Sequence, residues 1–270
     1  MIMKEKRIIL TGAAGGIASR LAQKLDADGA RLCITDINGD ALQTLQGSLS
    51  ANNVQTVVAD IGKAEDRTRI VQETLKRFGG IDILINAAGI NPFGVYANQD
   101  DTTIQKTFEI NVLGPMFLTR AVLPTMLAQG SGQIVNIGST FGSIGFAWFA
   151  AYSASKFALR GFSQALRREL ADTGITVSYI APRAVRTAIN SPAVYAMAEA
   201  VKMTMDEPDT VAQQIIDTIR KQDKECYLGF PESLFVRINA VFPGIVDRAT
   251  RKQNRKAQKY AEQVNAHTSG

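Results

Sequence analysis

At 270 residues, with 46% apolar and 20% charged side chains, the chain can bury a sizeable core and reads as a globular α/β protein, neither disordered nor fibrous. No apolar run reaches the length of a membrane span, and the apolar run in the opening MIMKEKRIIL is too short for a secretory signal, so a cytoplasmic protein is expected. Of the net charge of +5, about four units fall in residues 247–270, which leaves a near-neutral body with no nucleic-acid-binding face. Short β-branched runs at 7–10, 31–35, 55–59, 81–85, 133–137, 176–180 and 225–228 alternate with helical patterns at 17–28, 40–49, 63–78, 102–127, 151–172 and 208–221. This alternation predicts βαβ crossovers and a parallel sheet covered on both faces, with ligands bound beyond the carboxyl ends of the strands.

Some chemistries are excluded at once. Cys33 and Cys226 lie far apart in strand-like runs and read as core thiols. The single histidine, His267, sits in a polar tail, which removes Ser-His-Asp hydrolysis, Cys-His chemistry and histidine-based metal catalysis. No metal site is expected, and acid-base work must use another side chain.

The first strand runs into TGAAGGIA, Thr11–Ala18. Gly12, Gly15 and Gly16 would let the backbone approach a pyrophosphate, and the helix starting near Ile17 directs its N-terminal amides at it. The bland reading is a tight strand-to-helix turn. Asp36, after the second strand, can accept both hydroxyls of an adenosine ribose and would repel a 2′-phosphate, which favours NAD over NADP. It could also cap the following helix, and Asp60 after the third strand carries the same choice between adenine contact and capping. In YSASK, Tyr152 and Lys156 are four residues apart and share a helix face. A nearby ammonium would lower the tyrosine's pKa and make the pair a general acid-base, with Ser139 placed to bond the same substrate oxygen.

These pieces, with Asp60-Ile61, INAAG at 85–89, Asn111 in EINVLG and PRAVRT at 182–187, resemble the short-chain dehydrogenase/reductase family over about residues 5–230. The resemblance implies a Rossmann-type doubly wound parallel sheet of about seven strands, here followed by a C-terminal helical extension. It also implies a catalytic tetrad of Asn111, Ser139, Tyr152 and Lys156. In it the tyrosine exchanges the hydroxyl proton, the serine orients the oxygen, the lysine holds the nicotinamide ribose, and the asparagine supports a water. Cofactor contacts are implied for Ile17, Ile61, Asn86, Ala88, Gly89, Tyr152, Lys156, Pro182, Val185 and Thr187, the last holding the carboxamide. Four positions depart from the family pattern: Ala18 for the third glycine, Ala87 for an asparagine, Gly138 for a common non-catalytic serine, and Arg183 for the glycine after the proline. Arg183 could reach an acidic substrate group or the cofactor phosphates, or point to solvent.

Phe141, Ile144, Phe146, Trp148 and Phe149 suggest an apolar wall beside the acid-base pair, and SPAVYAMAEAVKM, with Tyr195, Met197 and Met203, suggests a flexible lid. Core and subunit packing could absorb part of both. Residues 1–230 read as the dinucleotide-binding and catalytic domain and 231–270 as a helical extension with a basic tail. The apolar helical spacing of Leu234, Phe235, Ile238, Val241 and Phe242 precedes six cations between Arg248 and Lys259. Two readings stand: peripheral attachment to an anionic membrane surface, or a cap packed on the body or a partner subunit.

The expected function is an NAD-dependent alcohol dehydrogenase or ketone reductase. Its substrate would be a small apolar secondary alcohol or ketone of steroid, retinoid or acyl-chain type, and the enzyme a homodimer or homotetramer. The rivals are an NADPH-dependent 3-oxoacyl or ketone reductase, an epimerase or dehydratase on the same fold, and a non-catalytic dinucleotide-binding protein attached to a membrane surface.

Overall fold

The structure is a computed structural model that describes residues 2–266; the histidine at 267 lies outside the described residues. Seven parallel strands, β1 (Arg7–Thr11), β2 (Arg31–Asp36), β3 (Val54–Val58), β4 (Ile83–Asn86), β5 (Gly132–Ile137), β6 (Ile175–Ala181) and β7 (Glu225–Tyr227), pair in the order β3-β2-β1-β4-β5-β6-β7. The strand pattern in the sequence thus forms the doubly wound sheet expected. The order reverses between β1 and β4, which opens a crevice at the carboxyl ends of these central strands.

Helices α1 (Gly16–Ala27), α2 (Gly39–Gln46) and α8 (Pro208–Lys221) cover one face, and α3 (Ala64–Phe78), α5 (Gly114–Gln129) and α6 (Ala150–Glu169) the other. Side chains alternate across a strand. Ile8 and Leu10 of β1 therefore pack with Leu21, Leu25 and Ile215, while Ile9 between them packs with Ile70, Leu118 and Val122. Two apolar layers on one strand explain why the strands read as unbroken hydrophobic runs.

The helix expected over 102–127 is divided into α4 (Asp101–Phe108), a π-helical turn at Glu109–Leu113, and α5. Pro115 supplies the reason, since it offers no N–H to the carbonyl of Asn111 four residues earlier and its ring crowds that carbonyl. By length and composition the helical stretch 101–129 could cross a membrane, its most apolar 18-residue window having a mean hydropathy of 1.3. Leu118, Val122 and Met126 are nevertheless fully buried in the protein core.

The lid sequence forms α7 (Pro192–Ala200), and the extension forms two helices, α9 (Glu232–Val241) and α10 (Pro243–Ala266), separated at Phe242. Ala257 and Ala261 of α10 are buried in a third cluster with Val194 and Met197 of α7 and with Phe93 and Phe149. Trp148 Nε1 donates to the carbonyl of Asn254 at 3.1 Å. One face of α10 is therefore a packed cap, while Arg248, Arg251, Lys252, Arg255, Lys256 and Lys259 all lie on its exposed surface.

Candidate active site

The glycine turn links β1 to α1 at the crevice. Gly12 has φ +63°, and a Cβ there would lie 2.6 Å from Ala88 Cα, so neither conformation nor space admits a side chain. A Cβ on Gly16 would strike Thr187 at 2.5 Å. Thr11 Oγ1 accepts from the amides of Ala87 and Ala88 at 3.1 and 3.2 Å, which ties this turn to the segment after β4. No side chain caps α1 at Gly15, so its first-turn amides remain available to an anion. Ala18, the third-glycine substitute, is buried in the core.

Asp36 accepts from Ala14 N and Asn38 N, both at 3.0 Å. Its expected capping role belongs instead to Asn38, whose side chain accepts from Ala41 N. Asp60 bonds Gly62 N at 2.8 Å, and α3 begins after Lys63, so Asp60 closes a local turn without capping the helix. The groove is lined by Gly12, Gly15, Gly16 and Ile17, by Asp36, Asp60 and Ile61, and by Ala88, Gly89 and Thr187. Among the described residues that line it there is no lysine or arginine. A glycine backbone cradle, open helix amides and a carboxylate at the far end fit a dinucleotide.

Asn86 does not face this groove. It is buried, its Nδ2 donates to Asn136 Oδ1 at 2.8 Å, and Asn136 Nδ2 in turn donates to Ser163 Oγ at 2.8 Å. At the end of a strand covered on both faces its side chain falls on the buried side. The resulting polar chain links β4 and β5 to α6.

The groove continues into a smaller cavity of about 130 Å³ that holds Ser139, Tyr152 and Lys156, with Pro182, Val185 and Thr187 on its wall. Tyr152 and Lys156 are on α6, as the i,i+4 spacing requires, with Lys156 Nζ 5.7 Å from the tyrosine ring centre. Lys156 is 5% exposed, and its Nζ donates to the carbonyl of Ile137 at 3.1 Å. Burial lowers its pKa to about 8. The expected depression of the tyrosine is reversed: burial pushes Tyr152 up to about 12, and the hydrogen bond with Ser139 pulls it only part of the way back. Desolvation of both groups outweighs the attraction of an ammonium directed at a carbonyl.

Asn111 sits in the π-helical turn. Its Oδ1 accepts from Ile90 N at 2.8 Å, and its Nδ2 donates to Ile90 O and to Ser155 Oγ at 2.9 and 3.0 Å. Ser155 Oγ donates to the carbonyl of Tyr152 at 2.7 Å, so Asn111 braces the helix that carries the tyrosine.

Sequence reasoning missed Tyr179. It is fully buried; its hydroxyl donates to Ser139 O at 3.1 Å and accepts from Ser139 N at 3.3 Å. A Cβ on Gly138 would lie 2.1 Å from its ring. Gly138 was the available signal: it is absent a side chain because a tyrosine from β6 fills that space.

Phe141 and Phe149 line the catalytic cavity, whereas Phe146 and Ile144 face a neighbouring one and Trp148 packs on α10. Met197 and Met203 also line the catalytic cavity, but Met197 is fully buried and α7 is clamped beneath α10, contrary to the flexible lid expected. Tyr195 donates to Thr187 O at 3.0 Å. Arg183 takes none of the three expected positions. Its guanidinium grips Asp206 in a bidentate pair at 2.8 and 2.7 Å and donates to Glu232 and to the carbonyl of Phe230, both at 2.9 Å, which fastens α9 to the body. Two carboxylates close by outbid any ligand for that charge.

A seven-stranded parallel sheet with a glycine-rich turn at its switch point, and a serine, tyrosine and lysine gathered beside it, define a class of nucleotide-dependent enzyme. The profile of the short chain dehydrogenase family matches residues 6–197, and the chain belongs to that family of oxidoreductases, which use nicotinamide cofactors. It is 31% identical over 267 residues to dehydrogenase/reductase SDR family member 7B of Bos taurus, covering 93% of this chain and 82% of that protein. A short-chain dehydrogenase from Streptomyces avermitilis is similar in structure, with TM-score 0.79 and 28% identity, over 93% of this chain and 98% of that one. A short chain dehydrogenase/reductase from Burkholderia phymatum, solved in complex with NAD, shares the fold at TM-score 0.83 and 22% identity, over 91% of this chain and 96% of that one.

Proposed function

We propose that the protein is an NAD-dependent oxidoreductase that interconverts an apolar secondary alcohol and its ketone. The observation that carries this reading is the convergence of Ser139, Tyr152 and Lys156 in an apolar cavity that opens into a cation-free dinucleotide groove. Gly12, Gly16 and the α1 amides would hold the pyrophosphate, Asp36 the adenosine ribose, and Lys156 and Thr187 the nicotinamide end. When bound, the nicotinamide supplies or takes the hydride.

The chain's own contribution is proton transfer and orientation. With its pKa near 12, Tyr152 holds its proton at neutral pH and serves as the acid that protonates the oxygen of a ketone being reduced. Ser139 orients that oxygen. In the oxidative direction the phenol must give up its proton first, and the Lys156 ammonium favours the resulting phenolate. Asn111 holds α6 in place through Ser155.

Tyr152→Phe keeps the ring but removes the exchangeable proton, so turnover of aliphatic ketones should collapse while NADH binding, followed by fluorescence, survives. Near-normal turnover would overturn the mechanism. Kinetic competition should favour NADH over NADPH, and Asp36→Ala should shift that ratio toward NADPH. A parent enzyme that prefers NADPH would overturn the cofactor assignment.

A further inference from the structure

A second cavity, of about 400 Å³, lies behind the catalytic one. Its floor is the turn after Ser139, with Phe141, Ile144 and Phe146, and its roof is formed by α9 and α10 through Phe235, Ile238 and Val246. The volume falls in the range of ligand sites, and the walls are predominantly apolar. Of the three charged side chains in its wall, Arg183, Lys202 and Glu232, the first and last are paired with each other. Phe141, Arg183, Ala184 and Met203 belong to the walls of both cavities, so they form the partition between them.

Of these four residues only Arg183 is charged. The guanidinium of Arg183 is drawn away to Asp206, Glu232 and the carbonyl of Phe230, leaving its aliphatic stem as wall. The stem lies so close to Gly229 that a Cβ there would be 2.7 Å from Arg183 Cδ. Met203 is unbranched and can change rotamer at low cost. Asn239 donates to the carbonyl of Ser143 at 2.9 Å, so the roof is hydrogen-bonded to the floor and the cavity has a fixed width. The catalytic cavity is too small to hold more than the reacting end of a long molecule.

We infer that the second cavity receives the alkyl chain of a substrate whose carbonyl stands at Tyr152, which makes the enzyme selective for long-chain aliphatic ketones or alcohols. This rests on the function proposed above and names its substrate class. The roof belongs to residues beyond 197, where the match to the family model ends. Ile238 lines this cavity and not the catalytic one.

The test is a series of methyl ketones from butanone to dodecanone with NADH. The wild type should gain about fourfold in kcat/KM per added methylene, equivalent to about 0.8 kcal/mol, until the cavity is full. Ile238→Trp should lower kcat/KM for dodecanone at least tenfold while leaving butanone unchanged. Ala249→Phe, at an exposed position on the cavity rim, asks the same question if the first variant fails to fold. Calorimetry of decanone binding gives a readout besides turnover, and Ile238→Trp should weaken it tenfold even if no ketone is reduced, an outcome that would refute the proposed function but not the chain site. A wild-type profile flat beyond butanone, or equal losses for butanone and dodecanone in both variants, would overturn the inference.

Discussion

A single methyl group at residue 138 provides a demanding test of the packing behind Ser139. In Gly138→Ala the new Cβ would stand 2.1 Å from Tyr179 Cζ and 2.3 Å from its hydroxyl oxygen, well over an ångström inside van der Waals contact. Tyr179 has no solvent to retreat into, because it is fully buried. Overpacking of this kind costs about 1–3 kcal/mol. Displacing the ring also weakens its two bonds to the Ser139 backbone, each contributing about 0.5–1.5 kcal/mol. The expected loss is therefore about 2–5 kcal/mol, read from urea unfolding at neutral pH with an unchanged m-value. Tyr179→Val removes the obstacle and, alone, should cost about 3–5 kcal/mol through the void it leaves. In the double variant the alanine methyl enters that void, so the combined loss should fall short of the sum by about 1–3 kcal/mol. Additive losses, or a Gly138→Ala protein within about 0.5 kcal/mol of the parent, would refute the account of why residue 138 has no side chain.

Lys156→Met should abolish turnover yet stabilise the fold by about 1–3 kcal/mol at pH 7, because burial lowers the lysine from 10.5 to about 8. The penalty is fully present below pH 8, shrinks between 8 and 10.5 and is gone above that range, so the gain measured by denaturant unfolding should vanish by pH 11. Burial raises Tyr152 and Tyr227 from 10.0 to about 12 and pushes Tyr179 up as well. The native state then keeps protons that the unfolded chain has lost, and unfolding free energy should fall steeply between pH 10 and 12; a flat profile there would contradict their burial. Arg183→Met leaves Asp206 and Glu232 without their cation and should cost about 2–4 kcal/mol and loosen α9, measurable by hydrogen exchange. Unchanged protection of α9 would deny Arg183 its fastening role. The six exposed cations of α10, beside the exposed Phe242 and Ile245, should bind anionic vesicles in low salt and release them in high salt, and deletion of 248–270 should remove the binding. Equal co-sedimentation of both forms would leave α10 a packed cap alone.

The sheet was legible because double burial demands unbroken β-branched strands, and Ile8-Ile9-Leu10 meets that demand directly. Gly12 and Gly16 were legible because no other residue fits where Ala88 and Thr187 press against them. Lys156 and Tyr152 were found by spacing, but the sign of the tyrosine's pKa shift was not, since it depends on how much protein surrounds the pair and on where Nζ points. Asn86 was implied as a cofactor contact by the family resemblance of INAAG; strand register, set by pairing with Asn136 across β5, turned its side chain inward. Tyr179 and Arg183 escaped for a common reason. Each acts through a partner distant in sequence, Ser139 in one case and Asp206 and Glu232 in the other, and such pairings appear only when the chain has folded.

The hydrogen bonds around α6 have a mechanical meaning. A helix seated by apolar contacts alone can slide or rotate at modest cost, because hydrophobic attraction has no direction. Here Ser155 is engaged by Asn111 and its neighbour Lys156 by the carbonyl of Ile137, and two turns further along the same helix Ser163 is engaged by Asn136. Three directional pins fix both the azimuth and the axial position of Tyr152 relative to the sheet. Part of the surface that would meet a substrate comes from elsewhere, from α7, α9 and α10. That part of substrate choice is mounted away from catalytic alignment and can be recut without disturbing it.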